Sequence, residues 1–439
     1  MIPDRGPTGG LIGVSGCVIS VDRVSVIVVI LRPTPCWELR TWHSLGYTTM
    51  QVWLERMTIA KNIESKSFPS VEAMLVDYRP EDPVYCLRKK RIQRNARHFV
   101  NNFPGKVLYA VKCNPHPWVL DACHVGGISD FDVASLEEVK LIRERYNNST
   151  PYFQHPVKSR SAIRNSYRLH GVRHFAVDHL SELSKVVDEV DDTRGVTVYV
   201  RLATPPGGAS EHFSDKFGAS IDEAVSLLNR VRNTGFKCAL SFHVGSQCYD
   251  PCSYQTALSV VGKTISRARV PITALDVGGG FPASYPNMAL PPLADFMKAI
   301  VEGVAAIGLG HEITLLCEPG RALVADGMSV VTKVYLRRGE RLYINDGIFG
   351  SFAESSFNQF QLPARLVRLD GSIGNGLKPF TVFGPTCDSN DQLPQPVCLP
   401  EDICEGDWIE FSLLGAYSNA LNTNFNGFRG CMFVDIDDT

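Results

Sequence analysis

Eight short β-branched runs, each followed by a polar or glycine-bearing turn and then an amphipathic stretch, most tightly constrain how this chain can fold. In order they are VLYAVK, DFDVAS, PYFQHP, HFAVD, VTVYVRLA, CALSFHVGS, ALDVGGG and ITLLCEPGR. Between them lie SLEEVKLIRERYNN, SAIRNSYRLHG, SELSKVVDEV, DEAVSLLNRVRNTG and PLADFMKAIVEGVAAIG. Their apolar residues fall three and four apart with Gly or Asn near several ends, which predicts helices that bury one face. Alternating strands and helices predict a parallel sheet. Eight repeats over about 240 residues is the size of a (β/α)8 TIM-like barrel, an α/β fold.

After Arg321 the rhythm changes. ALVADGMSVVTKVYLRR, ERLYINDG, ARLVRL, FTVFGPTCD, DWIEFSLLGAY and MFVDI are strand-like runs joined by Gly, Asn and Asp turns, which predicts a second, mostly antiparallel β domain. The expected organisation is a poorly ordered extension over 1–57, a lead-in over 58–84 contributing to the β domain, a barrel over 85–322 and a C-terminal β domain over 323–439. The strand donated by the lead-in is expected between about Ala73 and Val84.

With 439 residues, 44% of them hydrophobic, the chain exceeds what one core usually supports. Lys and Arg total 44 against 46 Asp and Glu, a net charge of -2 that argues against a nucleic-acid partner and for a small-molecule substrate. The 13 cysteines are odd in number and contain no CxxC pair; Cys248 and Cys252 lack a matching second pair, so no metal site is expected and the compartment reads as reducing and cytoplasmic. The apolar run Val24 to Leu31 is far short of the roughly 20 residues that span a bilayer. Asp4, Asp22 and Arg23 break the order of a signal peptide, and Met50 and Met57 are plausible later starts, so no membrane association is expected.

A barrel places chemistry at the C-terminal ends of its strands. Lys112 closes the first run, where a buried, unpaired ammonium would be costly. It is either a rim or ion-paired lysine, or one joined as an imine to an aldehyde cofactor. Asp132 and Arg201 end the second and fifth runs, where a barrel-interior ion pair is the simple alternative to a functional role. His243 in SFHVGS could stack on a planar ring or merely fill the core, and Ser246 follows in a turn able to meet a phosphate. Gly278, Gly279 and Gly280 let backbone N–H groups approach an anion. Glu318, Pro319, Gly320 and Arg321 place a carboxylate and a guanidinium around a tight turn, after the last strand, where barrels often bind phosphate. A phosphate cradle, a carboxylate for an aromatic ring and a lysine for an aldehyde together describe pyridoxal phosphate, with Glu318 keeping the pyridine nitrogen protonated.

These residues lie within YAVKCN, FDVAS, FHVGS, DVGGGFP, EPGR, NDGIFGSF, GPTCD and the later GAY and FNGF. From about residue 70 to the C-terminus this set, in this order, resembles the ornithine/diaminopimelate/arginine decarboxylase family, a fold type III pyridoxal-phosphate family, and most closely its ornithine-acting branch. The resemblance implies a homodimer with active sites shared across the interface. It also implies that Lys112 bonds the cofactor, Glu318 meets its ring nitrogen and His243 stacks on the ring. Ser246, Gly280, Arg321 and Tyr417 match phosphate ligands, and Asp132 and Arg201 match supporting residues. Cys387 matches the residue that returns a proton after carbon dioxide leaves, and Asp388 the carboxylate for the substrate's distal ammonium, both reaching the other subunit's cofactor. Independently of the family, a thiol on a turn has a pKa near 8.5, suited to proton donation, and an adjacent carboxylate suits a cationic substrate; the plain alternatives are a buried thiol and a turn-capping Asp.

One position departs from the pattern. Ornithine decarboxylases typically carry Tyr-Asp downstream of NDG, facing the substrate amine, and this chain has Phe357 and Asn358. The implied reaction is decarboxylation of L-ornithine to putrescine in polyamine biosynthesis. Lysine or dual lysine/ornithine activity is the alternative left open by Asn358, diaminopimelate a more distant one. A non-catalytic, decarboxylase-like regulatory binding protein is the alternative of another class.

Overall fold

The computed structural model describes residues 66–211, 213–310, 312–428 and 432–438; the expected extension over 1–57 lies outside the described residues. Eight parallel strands close a barrel: β1 Lys106–Ala110, β2 Asp130–Val133, β3 Thr150–Phe153, β4 His174–Val177, β5 Thr197–Arg201, β6 Lys237–Ser241, β7 Ala274–Asp276 and β8 Thr314–Cys317. All eight coincide with the runs read from the sequence. Closure comes from β8 pairing with β1, with Leu316 opposite Lys106 and Cys317 opposite Val107.

Strand alternation sends one set of side chains inward. Leu108, Tyr152, Ala176, Tyr199, Ala239, Ala274 and Leu316 form a buried cluster with one member from every strand except β2. There Asp130 takes the place of an apolar residue, and the Lys106 ammonium lies 3.3 Å from it. The barrel is therefore filled by side chains, which leaves its C-terminal mouth as the place for a ligand.

The outer helices start where side chains satisfy free N–H groups. Ser135 caps Leu136–Arg145, Ser159 caps Arg160–Arg168, and Ser220 with Glu223 forms a reciprocal capping box at Ile221–Asn233. Among the helices around the barrel, Lys89–Asn102, Pro117–Val125 and Cys252–Ala268 are not among the segments read as helical from the sequence. The first buries only Ile92, Ala96 and Phe99 among charged and amide residues, so its apolar stripe is one residue wide.

The second region is a nine-stranded sheet centred on Met328–Arg338. That strand pairs antiparallel with Val84–Leu87, Arg341–Ile344 and Trp408–Phe411. Three pairings are parallel: Ser67–Phe68 with Met432–Ile436, Met432–Ile436 with Val84–Leu87, and Arg341–Ile344 with Leu377–Phe383. The lead-in differs in detail from the sequence reading. Val71–Tyr78 is a helix capped by Ser70, and the donated strand begins at Val84, where that segment was expected to end. Arg88, directly after this strand and 6% exposed, locks it in place by donating to Glu410, Ser329 and Asp438. Removing one partner of such a buried charge cluster typically costs 3–5 kcal/mol. Among the described residues no helix is long and apolar enough to cross a membrane.

Candidate active site

Lys112 has left β1 and lies in a single 3-10 turn, Val111–Cys113, whose outer two side chains are buried. The picture of a buried, unpaired lysine is corrected here: the side chain is 42% exposed toward the barrel mouth, and Nζ donates to Asp132 Oδ2 at 2.9 Å. Asp132, on β2, is thus the partner of Lys112 and not of Arg201 across the barrel. Desolvation works against the Lys112 charge, but the Asp132 and Glu318 carboxylates outweigh it and hold the ammonium above its ordinary range.

Glu318 follows β8, with its N–H bonded to the Gly278 carbonyl at 2.8 Å. Asp276 ends β7 and accepts from Gly278 N–H and Gln154 Nε2, both at 2.9 Å. Burial raises Glu318 and Asp276 above the usual carboxylate range, and neighbouring Asp132 pushes both further. The mouth therefore gathers three carboxyl groups opposite Lys112 and the half-buried Arg201, whose guanidinium also faces the Phe217 ring at 5.3 Å. A protonated nitrogen heterocycle entering this mouth would find a carboxylate whose charge is otherwise hard to keep.

His243 accepts the Gly245 N–H at Nδ1, 3.0 Å away, which leaves Nε2 as the protonated nitrogen of a neutral ring. Burial, with Arg201 and Lys112 nearby, holds it well below the ordinary histidine range. Its ring meets Phe213 edge-on at 5.0 Å. Gly278 and Gly280 adopt φ of 70° and 101°, and a Cβ on either would lie 2.2 or 2.4 Å from the carbonyl oxygens of Phe242 and Gly245. Only glycine fits there, and the two loops approach closely enough to form a cradle. Gly279 is equally confined, since a Cβ would come 2.5 Å from the Glu318 carbonyl oxygen.

The turn Pro319-Gly320 is held by Ala110 N–H donating to the Pro319 carbonyl at 3.3 Å, and Gly320 lies against Cys113. Arg321 then opens a short helix, 4% exposed. Its Nη1 donates to Tyr285 Oη at 2.9 Å and Glu354 at 2.8 Å; its Nη2 donates to Ser246 Oγ at 3.1 Å and again to Glu354. Sequence reasoning gave Arg321 to a phosphate; the structure adds a carboxylate already bound to it. Because Ser246 accepts from Arg321, its own O–H remains available to donate. Tyr417 comes from the sheet region with φ of 54°, and its N–H donates to the Cys113 carbonyl at 2.8 Å, joining that region to the Lys112 turn.

Lys112, His243, Ser246, Gly280, Glu318, Arg321 and Tyr417 line one cavity. Cys387 and Asp388 do not. Cys387 is exposed on the turn after Leu377–Phe383, its Sγ 3.2 Å from Asn426 Oδ1, and Asp388 accepts from Asn390 at 2.8 Å. Phe357 is 72% exposed, and Asn358 donates to Glu211 at 2.9 Å. Asp276, Gln154, Tyr285, Glu354 and Glu211 went unnoticed in the sequence. Asp276 alone had a signal, a carboxylate opening DVGGG at a strand end.

Asp346, which lines a small cavity with Pro385 and Thr386, accepts from Gly347 and Ser351 N–H groups through Oδ1, while its buried Oδ2 has no partner among the described residues. Burial pushes this carboxyl up to about 6 from an unfolded value of 3.8. The folded state thus holds a proton that the unfolded chain releases, so this contribution is fully present below about pH 4 and is lost as pH rises through about 6. Asp346→Asn should remove up to about 3 kcal/mol of pH-dependent stability between those limits. Thermal melts across that range test it; parallel curves for the two proteins would refute the assignment.

The donor set fits an aldehyde-bearing, phosphorylated pyridine: a lysine, a buried carboxylate, a neutral imidazole and a glycine cradle beside a serine hydroxyl. The sequence matches the profile described as pyridoxal-dependent decarboxylase, pyridoxal binding domain, over residues 89–325, and that family's C-terminal sheet domain over 324–415. The chain belongs to the pyridoxal-dependent decarboxylase family. It is 30% identical over 379 residues to a probable ornithine decarboxylase of Dictyostelium discoideum, covering 81% of this chain and 79% of that one. It is also 30% identical over 361 residues to antizyme inhibitor 2 of Xenopus laevis, covering 77% of each. Among solved structures it is similar to the lysine/ornithine decarboxylase of Vibrio vulnificus complexed with putrescine, with TM-score 0.72 and 30% identity over 84% of this chain and 98% of that one. As in this decarboxylase family generally, the cofactor is pyridoxal phosphate.

Proposed function

We propose that this decarboxylase acts on L-ornithine, releasing carbon dioxide and putrescine, in a homodimer whose two active sites each draw on both copies. The observation that carries the chemistry is the pairing of Lys112 with Asp132 beside the buried Glu318, at the open end of the barrel. Bound pyridoxal phosphate supplies an electron sink for the charge left at Cα when the carboxylate departs. Lys112 is the amine that holds the cofactor, and Asp132 orients it. Glu318 keeps a proton on the ring nitrogen, a role matched to its own charge being costly unless so paired. Neutral His243 offers a flat, uncharged face for the ring. Ser246 and the Gly278–Gly280 cradle receive the phosphate, with Arg321 supporting Ser246 and Tyr417 bracing the Lys112 turn.

Cys387 of one copy donates the proton to Cα in the other copy's site, and Asp388 beside it attracts the distal ammonium of the substrate. Their exposure, and their absence from the Lys112 cavity, fit a site completed by a second copy. Asn358 favours a second reading, dual use of lysine and ornithine, because the carboxylate typical of the ornithine branch is missing at that position. Carbon dioxide release from L-ornithine, L-lysine, L-arginine and meso-diaminopimelate, compared as kcat/KM, tests the proposal. Ornithine should be the best substrate. A preference for meso-diaminopimelate would overturn the substrate; release from none of them would favour a regulatory binding role.

A further inference from the structure

Position 358, where the ornithine branch of the family typically carries a carboxylate, holds an amide in this chain. Asn358 ends the helix Ala353–Asn358, and its Nδ2 donates to Glu211 Oε1 at 2.9 Å. Glu211 belongs to the strand Ala209–Glu211, which pairs antiparallel with Ser246–Cys248 so that Glu211 stands opposite Ser246. Ser246 lines the Lys112 cavity, and so does Phe213, two residues beyond Glu211. The carboxylate therefore stands at the rim of that cavity.

Glu211 is half-buried, and among the described residues no lysine or arginine lies within ion-pair distance of it. The nearest comparable carboxylate, Glu354, one helical turn before Asn358, is already held by Arg321. A partly desolvated carboxylate with one amide donor has acceptor capacity left for a cation. An Asp at 358 would set two carboxylates against each other, whereas an Asn orients Glu211 and leaves its charge intact. We propose that Glu211, aimed by Asn358, is a specificity-determining carboxylate that receives the distal ammonium of a diamino-acid substrate alongside Asp388 of the other copy. This rests on the reading of the chain as a decarboxylase of such substrates, and Asn358 is its positioning residue.

The test compares Glu211→Gln and Glu211→Ala in the full-length, cofactor-loaded protein. Glutamine keeps a hydrogen bond to Asn358 but removes the charge; alanine removes both. Both variants should raise KM for L-ornithine and L-lysine by roughly 10- to 100-fold, the loss of one charge-assisted hydrogen bond, with kcat and the visible cofactor band little changed. If Glu211→Gln keeps the wild-type KM while Glu211→Ala raises it, Glu211 is only a loop tether and the inference falls. Equal wild-type KM in both also overturns it. Failure of the wild-type protein to decarboxylate any diamino acid would sink the underlying reading as well, an outcome visible before any variant is made.

Discussion

Lys112→Ala should lower the rate of carbon dioxide release by a factor on the order of 10⁴ or more, the scale seen when a covalent catalytic group is deleted. The same change should abolish the visible absorption of the bound cofactor. The loss has two physical parts. The amine that fixes the cofactor's aldehyde is gone, and so is the positive charge that offsets Asp132, which lies 2.9 Å from it with Glu318 and Asp276 nearby. Without Lys112 the nearby cation left among these carboxyls is Arg201. Activity within tenfold of wild type, or an unchanged visible band, would remove Lys112 from its assigned role.

Mixing two inactive proteins should restore activity. In the proposed homodimer, Lys112→Ala and Cys387→Ala would each disable both sites. In a mixed dimer, however, one site combines an intact Lys112 with an intact Cys387 from the other copy, and the second site carries both defects. Random exchange makes about half the dimers mixed, each with one working site of two, so about one quarter of wild-type activity should return. The expectation follows from the proposed sharing of sites, and it fits Lys112 lying in the barrel mouth while Cys387 is exposed on a turn of the sheet region that does not line that cavity. Recovery near zero after verified subunit exchange would mean that the two residues do not meet across an interface.

The barrel was legible because most residues of its strands are buried and read as short, largely apolar runs with a turn after each. Its helices were less so. Cys252–Ala268 mixes Val260, Val261, Thr264 and Ile265 with Gly262, a composition closer to a strand than to a helix interior, and tertiary packing overrides it. The parallel pairings of the sheet were hidden because periodicity announces a strand without naming its neighbour. At the site, position singled out Lys112, Asp132, His243, the triple glycine and Glu318 as strand-end candidates, while the roles expected of them came from the family resemblance. What could not be read was pairing across distance. Glu354 meets Arg321 from 33 residues away, and Asn358 meets Glu211 from 147 away, contacts created only when the helix Ala353–Asn358 comes to rest over the barrel mouth. The sequence accordingly suggested a site short of one carboxylate, where the fold supplies another.

Reductive trapping is the most direct test of the central claim. The purified protein, saturated with pyridoxal phosphate, is treated with borohydride, digested, and its peptides weighed. The account predicts a phosphopyridoxyl mass on the peptide carrying Lys112 and on no other. The same mass on a peptide bearing a different lysine, such as the buried Lys158, or on none at all, would contradict it.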